Sequence, residues 1–124
     1  MGDAVLQVWS AKKLYEMDPP LSEGQMTTLR AQLVSEVALA EYTRELKLNQ
    51  FLLLGVGEEK TGGRERESIM ADMFEAFIGA LYLDSGYESA CKILESVVLP
   101  LPLFPSKNTI PFSFIALRIK GSLL

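Results

Sequence analysis

The 124 residues are 48% hydrophobic and 23% charged, an ordinary globular composition at single-domain length, with a net charge of −4. Histidine is absent, which removes Ser-His and Cys-His catalysis, His-rich zinc sites and Glu-x-x-His di-iron centres, and the single cysteine, Cys91, excludes an internal disulfide. The acidic balance argues against a basic nucleic-acid groove, no run of about 18 apolar residues predicts a membrane span, and the N-terminal "MGDAVLQVWSAKK" lacks the basic region of a signal peptide.

Apolar residues recur at helical spacing from Asp3 to Met17, through Val5, Leu6, Val8, Trp9, Leu14 and Tyr15. "DPP" at Asp18–Pro20 ends that helix. Ser22 is a predicted N-cap, with Gln25 as its capping-box partner, and opens a helix through Met26, Leu29, Leu33 and Val34. Ser35 caps a further helix through Val37, Leu39, Ala40, Tyr42 and Leu46. Four glycines in "FLLLGVGEEKTGGRE" forbid a long helix, so a short extended piece and a loop are expected there. A helix from about Glu65 to Ser85 follows, then Gly86, then an amphipathic helix from Tyr87 to about Val98. The fold class is all-α. Cys91 falls on the last helix as a small apolar residue, and its free thiol fits a reducing, cytoplasmic setting.

The character changes after Val98. Residues 99–124 hold four of the six prolines and no acidic residue, and carry +3 against −7 for residues 1–98. Pro100, Pro102, Pro105 and Pro111 defeat a helix, so this reads as a Pro-rich apolar tail, irregular and separate from a domain at 1–98. Its prolines and short length argue against a membrane-surface helix.

The stretch "RESIMADMFEAFIGALYLD", Arg66 to Asp84, raises a chemical question. Between Ser68 and Leu83 only Asp72 and Glu75 are charged. Three residues apart, they share a helix face with Cβ atoms about 5–6 Å apart. A solvent-facing stripe is the plain explanation. The neighbours on that stripe, however, are Ser68, Ala71, Ala76, Gly79 and Tyr82, mostly small residues that leave room for something to approach. The functional alternative is a divalent-metal site. Mg²⁺ takes oxygen ligands and keeps several waters, and it activates water without a histidine base. A third carboxylate is then needed from another helix. Asp3, between the small Gly2 and Ala4, is the candidate.

Four stretches together carry a resemblance: "GDAVL" at Gly2–Leu6, "LSEGQMTTLRAQLVSE" at Leu21–Glu36, "LLLGVGEEKTGGRERESIMAD" at Leu52–Asp72 and "EAFIGALYLDSG" at Glu75–Gly86. Up to about Val98 the chain resembles the endonuclease domain of bacterial ribonuclease III. That resemblance implies a homodimeric, Mg²⁺-dependent enzyme, with Mn²⁺ able to substitute, that cuts double-stranded RNA in rRNA and mRNA processing. It implies that Asp3 and Glu75 are catalytic and that Asp3, Asp72 and Glu75 hold metal. Glu23, in "SEG", matches a further acidic position, which an early helix acid complementing the dipole explains equally well. Arg64 and Arg66 in "GGRERES" match a segment near the RNA, although a solvated charge cluster also accounts for them. The rival class is a non-catalytic helical dimerisation module or degenerate remnant, using exposed Met73, Phe74 and Phe77.

Two departures from the pattern bear on activity. The resemblance calls for another glutamate ligand four residues before Asp3, and for a basic RNA-binding domain after the nuclease domain. Both ends fit a truncated or shifted reading frame. The expectation is that this chain cuts RNA poorly until the upstream segment is restored.

Overall fold

The structure is a computed structural model that describes residues 1–98, so the predicted irregular tail at 99–124 lies outside the described residues. Six α-helices follow in order: α1 Gly2–Tyr15, α2 Glu23–Leu33, α3 Glu36–Leu46, α4 Val56–Lys60, α5 Glu67–Ser85 and α6 Tyr87–Val98. Two 3₁₀ turns, Leu48–Phe51 and Gly63–Glu65, flank α4, and the described residues contain no strand.

Local chemistry sets several of the boundaries. The capping box forms at α2: the Gln25 N–H donates to Ser22 Oγ at 3.1 Å, and the Ser22 N–H donates to Gln25 Oε1 at 2.9 Å. At α3 the Ala38 N–H donates to Ser35 Oγ at 3.2 Å. Lys47, at φ 57°, terminates α3 in the left-handed region. Gly86, at φ 89°, separates α5 from α6, a conformation that side-chain-bearing residues resist.

Helix α5 is the central element, packed against α1, α3 and α6. Its buried residues Met70, Phe74 and Ile78 recur every four positions and form one ridge. Phe74 is fully buried, with its ring tilted against Tyr42 at a centroid distance of 5.3 Å. Two hydroxyls tie the layers together. Thr43 Oγ1 donates to the Met70 carbonyl at 2.6 Å, and the Tyr42 hydroxyl donates to the Leu33 carbonyl at 2.9 Å. Buried bonds of this kind satisfy polar groups that would otherwise be costly to desolvate.

Two expectations need correction. The segment 51–65 is more than a short extended piece and a loop: Leu52 and Gly55 are extended, as expected, but a helix follows them. The segment contains the five-residue α4 between two 3₁₀ turns, held by the side-chain pairs described below. Phe74 is not exposed for a partner, because the α5 ridge carries it into the core, and Met73 and Phe77 are only partly accessible.

Candidate functional site

The sequence places Asp72 and Glu75 one turn apart on α5, on a face turned away from the Phe74 ridge. Asp72 is exposed and Glu75 half-buried. Asp3 occupies the first turn of α1, also exposed. The α1–α5 packing brings all three to one cleft of about 480 Å³, together with Met1, Gly2, Ala76, Gly79, Ala80 and Leu83.

The approach of the two helices depends on glycine. A methyl group on Gly2 would overlap the Glu75 backbone carbonyl. One on Gly79 would lie 2.9 Å from the Gly2 nitrogen. The small-residue stripe of α5 therefore has two uses. Ala71 and Gly79 are buried, with Gly79 lying under the start of α1, whereas Ala76 and Ala80 leave open space in the cleft.

The electrostatics follow from this geometry. Glu75 is pushed above the ordinary glutamate pKa, first by burial, then by the charges of Asp3 and Asp72, with the Met1 ammonium opposing. No Lys or Arg lines the cleft, and among the described residues none of the three carboxylates has an ion-pair partner. Like charges are thus gathered with only the Met1 ammonium to offset them. Among the described residues no set of three acidic or thiol side chains converges tightly enough to enclose an ion by itself. The donors nevertheless suit a hydrated hard cation. All are oxygens, they flank open space, and Mg²⁺ typically retains several of its own waters.

The other candidates lie elsewhere. Glu23 lines a separate cleft of about 360 Å³ between α1 and α2, beside Ala11, Leu14, Tyr15 and Arg30. Arg64 is bound on three sides: Nε and Nη2 donate to the Glu59 carboxylate at 3.1 and 2.7 Å, and Nη1 donates to the Asn49 carbonyl at 2.6 Å. Arg66 donates to Glu58 Oε2 at 2.9 Å and to Thr61 Oγ1 at 3.2 Å. Both guanidiniums clamp the turn around α4, and Glu58 and Glu59 are the partners that sequence reasoning missed. The only available signal was the density of opposite charges in "EEKTGGRER". Gly2 and Gly79 were also missed as packing residues, although an isolated glycine inside a helical pattern is itself a sign of close approach.

This arrangement of helices matches that of solved nuclease domains. Two solved structures of the nuclease domain of ribonuclease III from Campylobacter jejuni match it, each with a TM-score of 0.76. One is 38% identical over 80% of this chain and 69% of that one, and the other 37% over 86% and 71%. In the first, a region involved in dimer formation shows structural flexibility. A family model described as Ribonuclease-III-like matches residues 1–101. Ribonuclease 3 of Bacillus cereus (strain G9842) is 49% identical over 100 residues, covering 81% of this chain and 41% of the relative. Ribonuclease 3 of Staphylococcus epidermidis is 48% identical with the same coverage. The chain belongs to the ribonuclease-III-like family. It spans about two-fifths of the length of these curated relatives.

Proposed function

We propose that residues 1–98 form an endonuclease domain that cleaves double-stranded RNA in a reaction dependent on Mg²⁺, or on Mn²⁺ in its place. The observation that carries this reading is the gathering of Asp3, Asp72 and Glu75, from two helices and without Lys or Arg partners, on one open cleft. These three residues would hold the cation, with Asp3 and Glu75 nearest the reacting groups. When bound, a divalent cation lowers the pKa of water and offsets the charge of the phosphodiester.

The protein's own groups do the rest. Glu75, whose proton affinity is raised by its burial and its two acidic neighbours, accepts a hydrogen bond from the attacking water and orients it. Asp72, exposed one turn earlier, adds ligand charge without restricting access. Ala76 and Ala80 keep the floor of the cleft low enough for a sugar–phosphate strand. Arg64 and Arg66 reach phosphate only by exchanging Glu59 and Glu58 for it, so their contribution to RNA capture falls steeply with salt.

A homodimer belongs to this reading, because two such clefts facing one duplex cut both strands. The free thiol of Cys91 fits a reducing cytoplasm. No helix among the described residues is long and apolar enough to cross a membrane. Cellular roles in rRNA and mRNA maturation follow from the same reading.

The test is Glu75→Gln, made in a form of the domain that cleaves duplex RNA; the change keeps size and hydrogen bonding but removes ligand charge. Cleavage of a long duplex RNA in Mg²⁺ is expected to fall by at least about 100-fold, a loss on the scale expected when a reacting group is misplaced. Binding of the same RNA persists, and Mn²⁺ affinity read by electron paramagnetic resonance falls in parallel. Asp72→Asn behaves similarly, with partial rescue at high metal. Undiminished cleavage and Mn²⁺ binding by Glu75→Gln would overturn the assignment.

A further inference from the structure

Gly79 lies one turn beyond Glu75 on α5, so the two share a face. A methyl group there would meet Gly2 N at 2.9 Å and Gly2 Cα at 3.4 Å, both of them backbone atoms. Gly2 is the residue before Asp3, and its own missing Cβ lets the Glu75 carbonyl sit against it. Asp3 has an exposed side chain, so packing of that side chain does not hold it in place. How closely the start of α1, and with it Asp3, approaches α5 is set by the backbone contacts of Gly2 with Glu75 and Gly79.

We propose that Gly79 is a positioning residue that fixes the gap between Asp3 and Glu75 and thereby sets the size of divalent cation the cleft prefers. This inference rests on the reading of the cleft as a metal site. Mg²⁺ binds oxygen at about 2.0–2.1 Å in near-ideal octahedra, whereas Ca²⁺ accepts about 2.3–2.6 Å and looser geometry. The two therefore differ by a few tenths of an ångström. A methyl at position 79 requires Gly2 to retreat by roughly half an ångström to regain ordinary contact. Backbone cannot rotate aside as the end of a long side chain can, so Asp3 moves outward with Gly2. The widened gap disfavours Mg²⁺ more than Ca²⁺. A glycine that served packing alone would affect both ions alike.

The experiment titrates Mg²⁺ and Ca²⁺ separately, by calorimetry, into the full 124-residue chain and its Gly79→Ala variant. Gly24→Ala is the control, because it lies on α2 with nothing within 4 Å of its added methyl. Circular dichroism verifies folding. In Gly79→Ala, Mg²⁺ affinity falls by roughly tenfold, the scale found for groups that orient metal ligands. Ca²⁺ affinity falls by less, so the ratio of Ca²⁺ to Mg²⁺ affinity rises, while Gly24→Ala leaves that ratio unchanged. Asp3→Glu, whose carboxylate reaches one methylene further, returns the ratio of Gly79→Ala toward that of the unsubstituted chain.

An unchanged ratio in Gly79→Ala overturns the proposal, whether both affinities hold or both fall together. Should Gly79→Ala fail to fold, Asp3→Glu alone decides. Narrowing the gap from the exposed side must lower the ratio, and no change sinks the idea. If the unsubstituted chain binds neither ion, the metal reading falls, and crystal structures of the two chains then decide the positioning role. Asp3 must stand farther from Glu75 in Gly79→Ala by roughly half an ångström, and coincident backbones refute it.

Discussion

The α1–α5 junction and the segment from Lys47 to Arg66 hold charged groups in opposite ways. At the junction, packing does the holding. Gly2 sits on the Glu75 backbone, Phe74 and Ile78 anchor α5 from beneath, and the carboxylates are left without Lys or Arg partners. In the segment, charge does the holding. Arg64 and Arg66 are paired with Glu59 and Glu58, while Phe51, Leu53 and Val56 stay largely exposed. A frame built on buried apolar contact can carry uncompensated charge, because its stability does not depend on those charges. A frame built on ion pairs has already used its charges, so they serve a ligand only by exchange.

The largest effect should come from removing the anchor of the first region. Phe74→Ala empties a fully buried site beneath the two acids and is expected to cost about 3–5 kcal/mol in chemical denaturation. A small loss would mean that α5 is not held by its buried ridge, and the contrast between the regions would fail. Gly2→Ala comes next. Its methyl is directed at the Glu75 carbonyl, and the overpacking should cost about 1–3 kcal/mol. Gly24→Ala, with open space around it, should instead raise stability by about 0.5–1 kcal/mol. Equal effects of the two glycine substitutions in melting experiments would show that the junction is not tightly packed.

In the second region the effects are local. Glu59 is held below the ordinary glutamate pKa chiefly by its hydrogen bonds from Arg64. Glu59→Gln should leave the melting temperature nearly unchanged and make the chain around α4 several-fold more sensitive to limited proteolysis. High salt should bring the unsubstituted chain toward the same sensitivity, since exposed pairs are screened. Global destabilisation by Glu59→Gln would place this segment with the core.

The same contrast explains what was legible in the sequence. The helices were legible because their caps and periodicity are local: Ser22 with Gln25, Ser35, and the recurrence of Met70, Phe74 and Ile78 all lie within a few residues of one another. The meeting of Asp3 with Asp72 and Glu75 is not local. Its trace in the sequence is a pair of carboxylates on a helix of small residues, together with the motifs that resemble ribonuclease III. The helix α4 was not legible, because glycines at 55, 57, 62 and 63 speak against any helix, and the side-chain clamp that overrides them spans five to fifteen residues. Phe74 was misread as exposed because an apolar helix with few charges gives a weak signal of which face is buried.

The smallest effect tests the uncompensated charge itself. Asp72 and Glu75 repel across one helical turn, and like charges at that spacing destabilise a helix by about 0.2–0.5 kcal/mol. With divalent cations chelated at neutral pH, Glu75→Gln should therefore be more stable than the unsubstituted chain by about that amount. The pH dependence has a definite sign. The pKa of Glu75 is raised in the folded state, so the native protein binds that proton more tightly than the unfolded chain does. Stability contributed by the protonated form is present at low pH and is lost as pH rises from the ordinary glutamate pKa, about 4.3, through the elevated folded value. The difference between the two chains in thermal melts should thus open over that window and then stay constant. Added Mg²⁺ should reverse the order, because only the unsubstituted chain gains from binding. At tenfold excess over the dissociation constant that gain is about 1.4 kcal/mol, more than the repulsion it offsets. If Glu75→Gln is the less stable chain even in chelator, the carboxylate has a stabilising partner in the fold, and the cleft is not the site of stored repulsion described above.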